Sequence, residues 1–200
     1  MKTQTTVIGI LVGTLALAGA TFGFTMSGET KGNEAKSGVE KGGMLAAFHP
    51  THVSGPDKKT NTCPVCKYPE NPAVQVWVNN DDPKNVEKLV STLEKSLEAN
   101  KDKKMKAFVI YLNPGKKSGK LLEKDLTAMA KKNKIERVSI TYLTNPKDEA
   151  ISEYKINTDA KVKNTVFVYK EREVKTKFVN LVADEKGLEE LNQAITSVNE

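Results

Sequence analysis

The chain has 200 residues, of which 38% are hydrophobic and 28% charged, a composition typical of a soluble globular protein with one domain of ordinary size. Its formal net charge is +6, but the lysines alternate with Glu and Asp, and no basic run is interleaved with aromatic residues. This distribution is typical of solvated helix faces and argues against nucleic-acid binding.

The N-terminus predicts an export signal. Lys2 precedes an uncharged stretch that ends in Ala18-Gly19-Ala20, the small-x-small pattern that signal peptidases accept. The uncharged stretch continues beyond this site, so an uncleaved membrane anchor is an alternative, although several glycines weaken it. We predict a signal peptide over residues 1–20, a disordered linker over residues 21–47, and a periplasmic or extracellular location with no membrane association beyond the signal.

Beyond residue 48, the apolar pattern alternates between strand and helix periods. A short apolar strand at residues 74–78 is followed by Asp81-Asp82-Pro83, which supplies an N-cap at Asp81 and a first-turn proline for a helix with one apolar stripe. Residues 105–112 predict a strand buried on both faces of a parallel sheet. The remaining pattern predicts a helix over 118–132, a strand around 138–142, a short helix over 148–154, a hairpin of strands at 165–169 and 174–181, and a helix from residue 184 onward.

This order of elements resembles the redoxin branch of thioredoxin-like proteins, which contains peroxiredoxins and cytochrome-maturation thiol reductases. Residues 74–78 resemble the central strand that leads into the active site of that family. Residues 149–156 resemble its helix that ends in Tyr-Gly-Ile, and Asn164-Thr165 with the following apolar residues resembles its cis-proline strand. The resemblance implies an α/β thioredoxin-like domain over residues 48–200, with a central mixed β-sheet flanked by helices and ending in a β-hairpin plus a helix.

The usual active-site residues of that family are absent from their places. A Cys-x-x-Cys pair normally follows the central strand at the start of a helix, where the helix terminus lowers the thiol pKa. Here that stretch reads Asp81-Asp82-Pro83-Lys84, and Asn164 stands where the cis-proline is expected. Carboxylates can cap a helix but cannot exchange disulfides, so we do not expect a standard thioredoxin or peroxiredoxin mechanism at this end of the sheet.

Both cysteines and both histidines lie in one stretch before the central strand, at His49, His52, Cys63 and Cys66. The resemblance places this stretch toward the opposite end of the central strand from the usual active site, where redoxins have an N-terminal hairpin. The clustering makes these four residues the candidate functional site.

Three interpretations of Cys63 and Cys66 stay open. An inert structural disulfide suits an exported protein, but a four-residue loop stabilises the fold by only roughly 2 kcal/mol. A displaced redox pair could cycle between dithiol and disulfide, with Lys67 or a nearby histidine favouring the thiolate. A zinc or copper site could use His49, His52 and both thiolates. Lys67 excludes a c-type haem, because it stands where that motif needs histidine.

The sequence therefore predicts an exported thioredoxin-like protein with a thiol-redox role at Cys63 and Cys66, whose partners are protein thiols or an envelope protein. Whether this makes it an enzyme stays open. The alternatives are a zinc- or copper-binding protein and a non-catalytic binding module of the cell envelope. No Gly-rich phosphate loop, Gly-x-Ser-x-Gly or His-Glu-x-x-His motif occurs, so nucleotide binding, serine hydrolysis and zincin chemistry have no support.

Overall fold

The structure is a computed structural model that describes residues 35–115 and 117–200. The predicted signal peptide and the first part of the predicted linker lie outside the described residues. The described part contains six strands and five helices. In chain order these are β1 (Thr51–His52), α1 (Pro64–Lys67), β2 (Ala73–Val78), α2 (Pro83–Ala99), β3 (Lys106–Tyr111), α3 (Gly119–Lys132), β4 (Ser139–Tyr142), α4 (Glu149–Glu153), β5 (Asn164–Lys170), β6 (Glu173–Val179) and α5 (Glu185–Asn199).

All six strands form one mixed sheet with the order β1-β4-β3-β2-β5-β6. The three central strands β4, β3 and β2 are parallel, as their helical connections require, whereas β5 and β6 form an antiparallel hairpin beside β2. The two-residue strand β1 pairs antiparallel with β4 at the opposite edge. This arrangement confirms the predicted α/β fold, including the terminal hairpin and helix.

One face of the sheet is covered by α2, α3 and α5. These helices form because their apolar residues recur at helical spacing, so that each turns one buried stripe toward the sheet. Leu93 of α2 and Leu191 of α5 are fully buried against strand residues such as Val76. Burying each such leucine stabilises the fold by about 1.5–3 kcal/mol, so this face holds much of the core.

The other face of the sheet carries a separate core that is rich in aromatic residues. Trp77 of β2 and Tyr154, which follows α4, are fully buried with ring centroids 4.6 Å apart. Phe48 lies 5.2 Å from each of these two rings. The indole N–H of Trp77 donates to the side-chain oxygen of Gln75 at 3.0 Å, which satisfies these two buried polar atoms. Cys63 and Val65 belong to this core, so the candidate site is packed directly onto it.

The second core is closed by residues 35–47, which we name the N-terminal strap. Val39 and Leu45 of the strap are buried, and the Leu45 N–H donates to the Arg172 carbonyl at 2.9 Å. The described part of the predicted linker over residues 21–47, from residue 35 onward, is therefore packed against the domain predicted from Phe48. The buried apolar residues of this segment are irregularly spaced, because the segment packs on the domain without forming a helix or a long strand. The sequence therefore shows no periodicity that would predict its order.

The start of α2 differs in detail from the prediction. Asp82 is the N-cap, and its carboxylate accepts from the Lys84 N–H at 2.7 Å. Asp81, which we expected to cap the helix, instead accepts from the side-chain amides of Asn85 at 2.9 Å and Asn164 at 2.7 Å. Asp81 therefore ties the helix to the start of β5.

These contacts predict that Asp81→Ala destabilises the protein more than Asp82→Ala. Loss of the Asp82 cap should lower the free energy of unfolding by about 1 kcal/mol. Loss of Asp81 leaves an amide N–H of buried Asn164 without its acceptor and should lower it by about 2 kcal/mol. Urea titrations of the two variants measure the difference, and a larger effect of Asp82→Ala would contradict the assignment.

None of the helices within residues 35–115 and 117–200 combines the length and the apolar character needed to cross a membrane.

Candidate functional site

Cys63 and Cys66 form a disulfide bond, with an S–S distance of 2.04 Å and a Cα–Cα distance of 5.3 Å. Cys63 is the N-cap of the single turn α1, Pro64 is its first helical residue, and Cys66 lies within the turn. Proline suits this position because its missing N–H would have no partner there. Since β2 starts six residues after this turn ends, the disulfide lies before the central strand.

The two sulfur-bearing residues differ strongly in exposure. Cys63 is 5% exposed and belongs to the aromatic core, whereas Cys66 is exposed to solvent. Val65 between them is fully buried and anchors the turn. The Cys66 N–H donates to the sulfur of Cys63 at 3.2 Å. A reagent from solution therefore reaches Cys66 first, and the backbone already offers a hydrogen bond to the sulfur of Cys63.

Both histidines bind the segment that leads into Cys63. His49 Nδ1 lies 3.1 Å from the Asn61 carbonyl, and His52 Nε2 lies 2.9 Å from the Thr62 carbonyl. A carbonyl can only accept, so each of these ring nitrogens carries the proton. The histidines thus fasten the backbone immediately before the disulfide.

His52 is 1% exposed, at the end of β1. Its Nδ1 has no hydrogen-bond partner among the described residues, so the neutral ring has one unpaired acceptor. Burial lowers the pKa of His52 below its ordinary value, and the nearby Lys67 adds to this effect. The Thr62 carbonyl and Asp57 act in the opposite direction. The ring of His52 therefore stays neutral at a pH at which an exposed histidine would begin to be protonated.

This lowered pKa predicts that the protein loses stability as the pH falls below about 6.5, the ordinary value of histidine. Between the folded and unfolded pKa values of His52 the unfolded chain binds more protons, so the free energy of unfolding rises with pH. Urea titrations between about pH 5 and pH 8 measure this slope. In His52→Gln the slope should be smaller than in the wild type, and in His49→Gln, at the exposed histidine, it should persist.

A buried carboxylate holds the other end of the α1 turn. The side chain of Asp57 is 2% exposed, forms an ion pair with the ammonium of Lys67, and accepts from the Tyr68 hydroxyl at 3.0 Å. The hydrogen bond to Asp57 raises the pKa of Lys67 above its ordinary value. Burial raises the pKa of Tyr68, and its hydrogen bond to Asp57 adds to this. Asp57 thus fixes the two residues that directly follow Cys66.

The role of Asp57 was not predicted from the sequence. It lies in Gly55-Pro56-Asp57-Lys58, which has the composition of an ordinary turn. Its only sequence signal is its distance of 10 residues from Lys67, which indicates nothing without the fold. The sequence suggests that Lys67 favours a thiolate. In the structure its ammonium forms an ion pair with Asp57.

The predicted zinc or copper site is not assembled in this disulfide form. Both sulfurs are bonded to each other, and each histidine uses one ring nitrogen on a carbonyl. Within residues 35–115 and 117–200, no three or more His, Cys, Asp and Glu side chains are placed together to hold a metal ion. A metal site at His49, His52, Cys63 and Cys66 therefore stays a prediction for the reduced protein.

Sequence comparison alone identifies no relative, since no protein-family model matches the chain and no curated protein matches it significantly. Structural comparison is informative. A protein assigned as the thiol:disulfide interchange protein DsbE from Chlorobium tepidum matches with a TM-score of 0.61 at 13% identity, over 81% of this chain and 99% of its own. A thiol:disulfide interchange protein from Bacteroides sp. matches with a TM-score of 0.57 at 14% identity, over 81% and 92%.

A thiol peroxidase from Chromobacterium violaceum is also similar, with a TM-score of 0.56 at 12% identity over 81% of this chain and 89% of its own. Identities this low establish a shared fold. They agree with the strand order and with the resemblance noted in the sequence. The described domain therefore has the thioredoxin-like fold of the redoxins, with its Cys-x-x-Cys pair before the central strand instead of after it.

Proposed function

We propose that the protein is an exported thiol–disulfide exchange protein that uses Cys63 and Cys66 and acts on protein thiols. The observation that carries this proposal is the asymmetry of the disulfide, in which Cys66 is exposed and Cys63 is buried beneath it. A purely structural disulfide needs no solvent-exposed cysteine. A bond that closes only a four-residue loop stabilises the fold by just roughly 2 kcal/mol.

The chemistry follows from this asymmetry. A substrate thiolate attacks the sulfur of Cys66. A disulfide bond forms between the substrate and Cys66, and the Cys63–Cys66 bond breaks. Cys63 leaves as a thiolate, which the Cys66 N–H stabilises from its present distance of 3.2 Å. A second thiolate of the substrate then attacks the substrate sulfur and releases Cys66. The substrate dithiol loses two electrons and the protein gains them.

Two further observations support the proposal. The structurally similar proteins include two described as thiol:disulfide interchange proteins, which favours thiol chemistry by analogy of fold. The N-terminal sequence pattern favours export, where disulfides form and persist. Protein thiols are preferred as substrates because an exposed sulfur on a surface turn is accessible to another folded chain.

Equilibration with glutathione redox buffers tests the proposal. The Cys63–Cys66 pair should convert reversibly between dithiol and disulfide, as counted by alkylation and intact mass, and should oxidise a dithiol peptide at a rate proportional to protein concentration. The variant in which both cysteines are replaced by serine is the control and should have no such activity.

A pair that stays oxidised in every glutathione buffer and does not react with a small dithiol would falsify the redox function. That result, together with a cellular role that survives the double serine variant, would favour a non-catalytic binding module in which the disulfide only holds the turn.

A further inference from the structure

A cleft of about 350 Å³ opens beside the α1 turn, between the end of α2 and the starts of β3 and β4. We name it the basic cleft. Its wall includes two aromatic rings and several cationic side chains. Its lining residues include Tyr68, Lys104, Lys106, Phe108, Glu136 and Arg137.

The basic cleft is continuous with the disulfide turn through Tyr68. This residue follows Cys66 by two positions, and its hydroxyl is held by Asp57, which fixes the ring in the cleft wall. The ring centroid of Tyr68 lies 6.1 Å from that of buried Phe108. Tyr68 therefore connects the cleft wall to the turn that carries the exposed Cys66.

The charge of the basic cleft is positive on balance, since its lining carries four cationic side chains and one carboxylate, that of Glu136. Arg137 is paired with Glu94 and Glu98 and is largely neutralised. In contrast, Lys104 and Lys106 have no carboxylate within ion-pair distance in the described part of the chain. The ammonium of Lys106 lies 4.8 Å from the ring centroid of Tyr68, which keeps this cation at the cleft wall.

We propose that the basic cleft binds an acidic segment of the protein substrate and directs its thiol to Cys66. This inference rests on the proposed exchange function and names its substrate class. Unpaired cations beside aromatic rings complement a peptide segment in which carboxylates alternate with apolar or aromatic side chains. The cleft volume lies at the low end of the ~300–1,000 Å³ typical of ligand sites, so the cleft has room for a few side chains. Electrostatic attraction raises the association rate more than it changes the chemistry of the exchange.

Three dithiol peptides of the same length, flanked by Asp and Glu, by Ser and Gly, or by Lys, provide the test. At low ionic strength the oxidised protein should oxidise the acidic peptide at least about tenfold faster than the neutral one, and the basic peptide more slowly than either. The ratio of acidic to neutral rates should fall toward one at ~1 M salt, because exposed charges are then screened within about 3 Å.

The double variant Lys104→Glu with Lys106→Glu should abolish the preference for the acidic peptide or invert it, and Lys104→Gln with Lys106→Gln should weaken it. The matched control is Lys84→Glu with Lys88→Glu, which makes the same charge change on exposed lysines of α2 away from the disulfide. This control should keep the preference. If it loses the preference as fully as the cleft variant does, only net charge matters and the cleft proposal is overturned.

Reduction by dithiothreitol, a neutral small dithiol, separates the two proposals. If dithiothreitol reduces the disulfide but the three peptides react at equal rates, the basic cleft has no substrate role although the exchange function stands. If neither dithiothreitol nor any peptide reacts, both proposals fail together.

Discussion

Replacement of Cys63 by serine should let Cys66 attack a substrate disulfide and hold it as a mixed disulfide, with the second substrate sulfur released as a thiol, whereas replacement of Cys66 should trap almost none. The reason is exposure, since Cys66 is open to solvent and Cys63 is packed into the aromatic core. In the Cys63→Ser variant the remaining thiol should be alkylated at least about ten times faster than in Cys66→Ser. Iodoacetamide kinetics followed by intact mass measure both rates.

Denaturation provides the control for this comparison. In ~6 M guanidinium chloride, a concentration that unfolds most domains, the two single thiols should react at similar rates, because only the fold distinguishes them. The assignment of Cys66 as the attacked sulfur is wrong if Cys63 reacts as fast as Cys66 in the folded protein. Mixed-disulfide formation with an oxidised substrate at equal rates in both single-serine variants would have the same meaning.

Gly55→Ala should be among the most damaging single substitutions near the site. Gly55 has a φ of +77°, and an added Cβ would lie 2.9 Å from the Cα and 3.0 Å from the backbone nitrogen of Ser139 in β4. The backbone atoms of a hydrogen-bonded strand inside the sheet cannot move away from the added Cβ without a loss of stability. We expect the free energy of unfolding to fall by about 3 kcal/mol or more, from strain plus overpacking. Asp57 is two residues away, so the exchange rate should fall as well.

Gly42→Ala is the matched control for this substitution. Gly42 has a similar φ of +84°, but nothing lies within 4 Å of the added Cβ. Only the left-handed backbone opposes the change, which costs about 1–2 kcal/mol. The difference between the two variants in urea titrations therefore measures the contact with Ser139. Equal destabilisation would show that this contact contributes little.

Most of the sheet and its large helices could be predicted from the sequence, because their apolar residues recur at clear helical or strand spacing. The stripe of α2 and the continuous apolar run of β3 are examples. The turn α1 and the strand β1 were not predicted. They contain four and two residues, too few for a period to emerge, and both are held by contacts with distant residues.

The candidate site was found in part. Clustering of the cysteines and histidines drew attention to the stretch before the central strand, where Cys63 and Cys66 form a disulfide. The sequence could not assign the histidines, because a ring that binds a carbonyl and a ring that binds a metal have the same spacing along the chain. The contribution of Asp57 was hidden for a similar reason, since its partners are specified only by the folded loop.

The N-terminal strap determines how short a functional chain can be. Ser37 lies 2.6 Å from Thr165 between hydroxyl oxygens, Met44 pairs with Glu173 at the edge of the hairpin, and Leu45 is fully buried. A chain that started at Phe48 would expose the apolar side of β5 and weaken the core that supports Cys63. A protease that releases this domain in working order must therefore cut upstream of the strap.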